Sequence, residues 1–180
     1  MPAFRSAYTG DCRDNACDDA RDGDARAVLK LLESRSQTLA TCESLTAGGL
    51  AARLADVPGA SAVLQGGLVT YSAELKVLLA GVDRDLITRY GVISAECAQA
   101  MAGGARKACR SDWAVSLTGV AGPGPAEGHP AGDVYIAIAG PTSTSSSVQL
   151  HQWPNLTRGQ VRENSVEAAL RLLLSALSKA

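Results

Sequence analysis

Gln37-Thr38-Leu39-Ala40-Thr41 runs into Cys42-Glu43-Ser44-Leu45-Thr46-Ala47-Gly48-Gly49, and that into Leu50-Ala51-Ala52-Arg53-Leu54. The first five residues are short and β-prone, and the last five are Ala/Leu-rich and helical. The stretch reads as a strand that turns sharply into a helix. Ser44 falls at the turn. Backbone N–H groups at a helix start favour negative charge. Such a turn can hold an anion, or stabilise an oxyanion beside a serine nucleophile. The same residue types also serve as plain helix N-caps, so Ser44 and Thr46 carry that reading too.

The rest of the chain alternates in the same way. Ala27 to Leu32 suggests a first helix, broken by Ser34 to Gln37. After a helix to about Ala55, Asp56-Val57-Pro58-Gly59-Ala60-Ser61 is a turn. A short strand is expected over Leu68–Tyr71, then helices over Glu74–Leu79 and Asp83–Tyr90, closed by Gly91. Ser94 is placed to cap a helix in which Cys97, Met101, Ala105 and Ala108 recur on one face. Trp113 to Leu117 reads as a buried strand, 118–132 as a Gly/Pro-dense loop, Val134 to Ala139 as a strand and Val148 to Trp153 as an edge strand. A last helix over 157–177 carries Val161, Ser165, Ala168, Leu172 and Ala176 on one face. Interleaved strands and helices predict an α/β fold, a single three-layer α/β/α domain with a mixed or mostly parallel sheet. Ser44, Tyr71 and Thr118 then fall at strand C-terminal ends, where functional loops gather.

Composition narrows the classes. With 180 residues, of which 46% are hydrophobic but only 4% aromatic, the chain supports one domain with an aliphatic core. A net charge of −1 argues against nucleic-acid binding by bulk charge. No apolar run approaches membrane-spanning length, and a cytoplasmic protein is expected. The five cysteines are oddly spaced, with no Cys-x-x-Cys pair, and the histidines are only His129 and His151. A disulfide framework and a zinc site are both unexpected. Cys42 is a rival nucleophile to Ser44 by position, but a strand cysteine is more often buried. Residues 1–24, rich in Asp, Arg and Gly, read as a disordered leader before a domain over 25–180.

Three further stretches accompany Glu43-Ser44-Leu45-Thr46. They are Gly66-Gly67-Leu68-Val69-Thr70-Tyr71-Ser72-Ala73-Glu74-Leu75-Lys76, then Gly91-Val92-Ile93-Ser94, then Ser116-Leu117-Thr118-Gly119-Val120-Ala121-Gly122-Pro123. In order and separation these four motifs closely resemble the C-terminal domain of the competence/damage-inducible CinA proteins. The likeness runs from about Ala25 to the C-terminus. The N-terminal domain of full-length CinA proteins has no counterpart in it, and functions that need that domain are not expected. Characterised enzymatic members of the family are nicotinamide-nucleotide amidohydrolases. The resemblance therefore implies hydrolysis of nicotinamide mononucleotide to nicotinate mononucleotide and ammonia, in pyridine nucleotide recycling, without metal or cofactor. It also implies a homo-oligomer. Two alternatives stand beside it: a non-catalytic nucleotide-binding regulatory protein of the CinA type, and a Ser–Lys amidase for another small amide.

No Ser-His-Asp arrangement is apparent, so a serine hydrolase here needs another base, and lysine is a known one. The family shares the five-residue step from Tyr71 to Lys76, and the resemblance makes Ser44, Lys76 and Tyr71 the catalytic set. A lysine base must be neutral part of the time, which requires burial or a nearby positive charge. Without the likeness, Lys76 would read as a solvated helix lysine. For the substrate, Thr118, Gly119 and Gly122 offer close backbone approach. Arg158 and Arg162, four apart on one helical face, suit a phosphate or, alternatively, a solvated or intersubunit face. Glu43 matches the family and is a candidate to orient Lys76 or a ribose hydroxyl, or a first-turn helix acid. Thr46 joins the substrate set. Leu45 and Ala47 replace the Cys and first Gly of the family's usual Glu-Ser-Cys-Thr-Gly-Gly, and Ala47 is harmless only with helical dihedrals. His129 stands where the family usually has a lysine, and offers a phosphate less charge.

Overall fold

The computed structural model describes residues 22–142 and 145–180. Most of the expected leader, with Cys12 and Cys17, lies outside the described residues. Gly23 and Asp24, placed in that leader by sequence, form the first turn of α1 (Gly23–Ser34). The order continues β1 (Leu39–Glu43), α2 (Gly49–Ala55), β2 (Leu64–Val69), α3 (Ala73–Ala80), α4 (Arg84–Tyr90) and α5 (Ala95–Cys109). Then follow β3 (Trp113–Gly119), β4 (Asp133–Ala139), β5 (Ser147–Gln152) and α6 (Arg158–Leu177).

The five strands make one mixed sheet in the order β2-β1-β3-β4-β5. β1 pairs in parallel with both β2 and β3, and β3-β4-β5 continue antiparallel. β1 is central to the parallel part and buried along its whole length. Its side chains alternate between two layers. Leu39 joins Trp113, Val115, Leu117, Ile136 and Ile138 under α1, α2 and α6. Ala40 and Cys42 join Ala114 against Cys97, Met101 and Ala105 of α5 on the other face. The three-layer expectation holds, with an aliphatic core in which Trp113 is the one large aromatic among the described residues.

Local chemistry sets the helix starts. Ser72, Asp83 and Ser94 each accept an N–H of the first turn they precede. Thr157 and Gln160 form a reciprocal capping box on α6. One helical expectation shifts in detail: Ala108 faces solvent. The strand expected over Leu68–Tyr71 instead spans Leu64–Val69. Gly66 and Gly67 hide it from a β-propensity reading. Gly67 earns its place by close approach, since a Cβ there would sit 2.7 Å from Thr41 Oγ1. Gly104 does the same between helices, because a Cβ would overlap the carbonyl of Ala80 at the end of α3. That contact lets α5 lie directly against the helix that carries Lys76.

The parallel strands end together. Beyond β1, Ser44 N donates to Leu117 O at 3.0 Å, and Thr70 N donates to Glu43 O at 2.8 Å. The sheet thus brings Ser44, Thr70-Tyr71 and Thr118 to one edge, as expected at the carboxyl ends of α/β strands.

Candidate active site

At that edge lies a cleft of about 360 Å³, lined by Ser44, Leu45, Tyr71 and Lys76, by Val92 and Ile93, by the 118–127 segment and by Arg158. A larger cavity of about 800 Å³ lies elsewhere, by Trp113 and Lys179. Among the described residues none of the serines that line it is hydrogen-bonded to Lys179, so chemistry rather than size selects the cleft.

Lys76 is 1% exposed although it belongs to the first turn of a short surface helix. Its Nζ donates to Thr70 O at 2.8 Å and to Ser44 Oγ at 3.0 Å. Burial holds the ammonium below the usual lysine range, against a smaller opposite influence from Cys97, Cys42 and Glu127. When the amine is neutral, the same short line lets the Ser44 hydroxyl donate to Nζ. The buried lysine therefore sits within hydrogen-bonding distance of Ser44 with its charged form disfavoured by burial.

Cys42 is buried beneath the site, its Sγ 3.5 Å from Thr70 Oγ1. Burial pushes its thiol up to about 11, and that of Cys97 also to about 11. Neither supplies a thiolate near neutral pH, which removes Cys42 as a rival nucleophile.

The Ser44 turn keeps free donors. Ala47 N donates back to Ser44 O at 3.1 Å and Ser44 N belongs to the sheet. Among the described residues the amides of Leu45, Thr46 and Gly48 find no acceptor in the protein. Ala47 adopts φ 51° and Gly48 φ 93°. The alanine that replaces a family glycine thus sits in the left-handed region, the strained case.

Several expected substrate residues have other tasks. Glu43 is fully buried, and its carboxylate accepts from Leu50 N at 3.0 Å, Ala51 N at 2.9 Å and Thr41 Oγ1 at 3.1 Å. It ties β1 to the start of α2 and contacts neither Lys76 nor the cleft. Thr46 turns to the far side of the turn, with a buried Oγ1 that has no partner among the described residues. Arg162 sits behind the turn as well, where Nε donates to Leu45 O at 3.0 Å and Nη2 to Thr46 O at 2.9 Å. His129 is away from the cleft, its Nδ1 3.5 Å from Asp133 Oδ2 and its ring edge-on to Tyr135.

Others do face the cleft. Tyr71 is 55% exposed, and its Oη accepts from Arg158 Nη2 at 2.8 Å rather than bonding Ser44 or Lys76. Arg158 Nη1 also donates to Gly122 O at 2.9 Å, so one guanidinium spans the cleft mouth. Gly119 and Gly122 line the wall. Thr118 lines it too, but its hydroxyl donates to Val92 O at 2.7 Å.

Two contributors went unassigned by sequence. The Thr70 carbonyl orients Lys76, and its only sequence signal is adjacency to Tyr71. Glu127 lines the cleft, with Oε2 accepting from Val92 N at 3.0 Å. The Gly91-Val92-Ile93-Ser94 motif marked its partner, but nothing in the loop marked Glu127.

A family model for the CinA C-terminal domain matches residues 22–177. A CinA-like protein of Frankia casuarinae is 45% identical over 157 residues, covering 87% of this chain and 35% of the relative. A putative competence-damage inducible protein of Streptococcus agalactiae is 44% identical over 156 residues, covering 86% and 36%. The chain thus spans about a third of the length of these relatives. Among solved structures, the competence/damage inducible protein CihA from Agrobacterium tumefaciens superposes with TM-score 0.83 at 28% identity, over 98% of this chain and 99% of that one. A CinA superfamily protein from Klebsiella pneumoniae gives 0.84 at 28%, over 89% and 99%. With its four motifs in place and its sheet shared with these structures, the chain belongs to the CinA C-terminal domain family.

Proposed function

We propose that this chain is a Ser–Lys amidohydrolase that hydrolyses the carboxamide of nicotinamide mononucleotide to nicotinate mononucleotide and ammonia. The observation that carries the reading is the buried Lys76 Nζ at 3.0 Å from Ser44 Oγ, in a cleft that Leu45 also lines. As Ser44 Oγ attacks the carboxamide carbon, its proton passes to the neutral Lys76 amine. The tetrahedral oxyanion takes hydrogen bonds from the Leu45 and Thr46 amides. Lys76 then returns the proton to the departing nitrogen. Ammonia leaves, and Ser44 holds the acyl group as an ester. Water repeats the cycle: Lys76 takes its proton, the intermediate collapses, and Ser44 regains its hydrogen as the acid departs. No step requires a metal.

Arg158 is the cation at the cleft mouth and the natural partner for the nucleotide phosphate. Tyr71 holds that guanidinium in place. His129 is not in this cluster, so the phosphate meets fewer cations than the family pattern supplies. That observation favours one competing reading, a Ser–Lys amidase for a small amide without a phosphate.

The test is ammonia release from nicotinamide mononucleotide beside nicotinamide and other small amides. The wild type should turn over the nucleotide, while Ser44→Ala and Lys76→Met should lose at least about 1,000-fold. Preference for an unphosphorylated amide would shift the assignment to the competing reading. Nucleotide binding without turnover of any amide would leave only a binding role.

A further inference from the structure

We infer that Arg162 is a positioning residue for the oxyanion site, acting through the backbone of the Ser44 turn; the inference rests on the amidohydrolase reading above. Arg158 and Arg162 leave the same face of α6 but diverge. Arg158 reaches the cleft mouth. Arg162 reaches the back of the turn and grips two consecutive carbonyls, Leu45 O through Nε and Thr46 O through Nη2. Thr46 O also accepts from Gly49 N at 3.1 Å, so this part of the turn is held from two directions.

The peptide bond transmits that grip. In a planar trans peptide, the C=O and N–H point in opposite directions. The Leu45 carbonyl and the Thr46 amide hydrogen belong to one such plane. With the carbonyl aimed at Arg162 on α6, the Thr46 N–H must point away from α6. Among the described residues it is one of the amides of the turn, with those of Leu45 and Gly48, that find no acceptor in the protein. Fixing the carbonyl fixes the donor. A cation on the carbonyl oxygen also draws electron density from the nitrogen and strengthens the N–H as a donor.

The turn needs such a tether. Ala47 is held at φ 51°, a conformation that a non-glycine residue leaves readily. The two contacts use adjacent N–H groups of the guanidinium fork, a geometry that lysine cannot reproduce. Arg162 is half-buried and does not line the cleft, which separates it from a phosphate ligand.

Three variants test this: Arg162→Lys, which keeps the charge but not the fork, Arg162→Gln, and Arg162→Ala. Turnover is measured on nicotinamide mononucleotide and on nicotinamide riboside, which lacks the phosphate. Removing an oxyanion donor elsewhere typically slows turnover about 100-fold or more. Arg162→Lys should lower kcat by about that factor, with KM within about threefold. The loss should be equal on both substrates, and guanidinium ion should restore part of the Arg162→Ala activity. A rise in KM confined to the phosphorylated substrate, with kcat unchanged, would overturn the inference in favour of phosphate binding.

Melting temperatures separate misfolding from mispositioning, and Arg162→Lys keeps the test usable if Arg162→Ala does not fold. Phosphonylation of Ser44 by a fluorophosphonate provides an arm independent of the substrate. Its phosphonyl oxygen occupies the same site, so Arg162→Lys should label about 100-fold more slowly. Equal labelling rates would overturn the inference even if the wild type hydrolysed no amide. Failure of the wild type both to label and to turn over would remove the nucleophile reading, and the role of Arg162 with it.

Discussion

Lys76 lies where solvent would be expected, on the first turn of a short helix, yet its amine is enclosed with one serine hydroxyl and one carbonyl as partners. An amine whose folded pKa lies below the free value binds fewer protons when folded than when unfolded, in the window between the two. Stability must therefore rise with pH through that window, and the penalty is fully present only below the folded value. Replacement by Met should raise the urea midpoint at neutral pH, with the advantage shrinking toward the free-lysine pKa of about 10.4. A pH-independent difference would mean that the amine is not held depressed. Amide turnover should rise with pH over the same window. Ala47 is the second telling residue, since its φ of 51° is one that glycine adopts freely. Ala47→Gly should stabilise the protein by about 1 kcal/mol, read as an increased denaturant midpoint with an unchanged m-value. Both residues stood out in the sequence, but neither the burial of one nor the backbone angle of the other could be read there.

At the scale of elements, the strand–turn–helix unit from β1 to α2 is held together by a carboxylate. Glu43 takes two amides at the start of α2 and the Thr41 hydroxyl, all away from solvent. Loss of those acceptors leaves buried donors unpaired. Glu43→Ala should therefore cost about 3 kcal/mol or more of stability, seen in chemical unfolding. A substrate-binding role would instead raise KM without moving the unfolding midpoint. The sequence placed Glu43 beside the nucleophile but could not say which way it points. Alternation along β1 sends Ala40 and Cys42 toward α5, and Glu43 toward the layer of α2. β2 was legible only in part, because Gly66 and Gly67 carry no β-propensity. Their value lies in approach to β1, a property of two strands rather than of one.

For the whole molecule, a mixed sheet lets three parallel strands end at one edge, while α6 returns from the far end of the chain to close it. That return separates two arginines that the sequence treats alike. One turn of helix apart, Arg158 meets Tyr71 and Gly122, whereas Arg162 meets the back of the Ser44 turn. His129 is likewise carried away from the cleft by the hairpin-side position of Asp133 and Tyr135. The sequence by itself determined the α/β layering, the strand–turn–helix around Ser44, the pairing of Ser44 with Lys76 as nucleophile and base candidates, and the family. The layering and the turn follow from local periodicity, whereas the pairing and the family follow from the resemblance carried by the four ordered motifs. Only the tertiary structure decided the burial of Lys76, the inward task of Glu43 and the different destinations of Arg158 and Arg162. Each depends on which backbone carbonyl or amide from a distant segment comes within hydrogen-bonding reach, and such groups are present at nearly every residue and so leave no mark in the sequence.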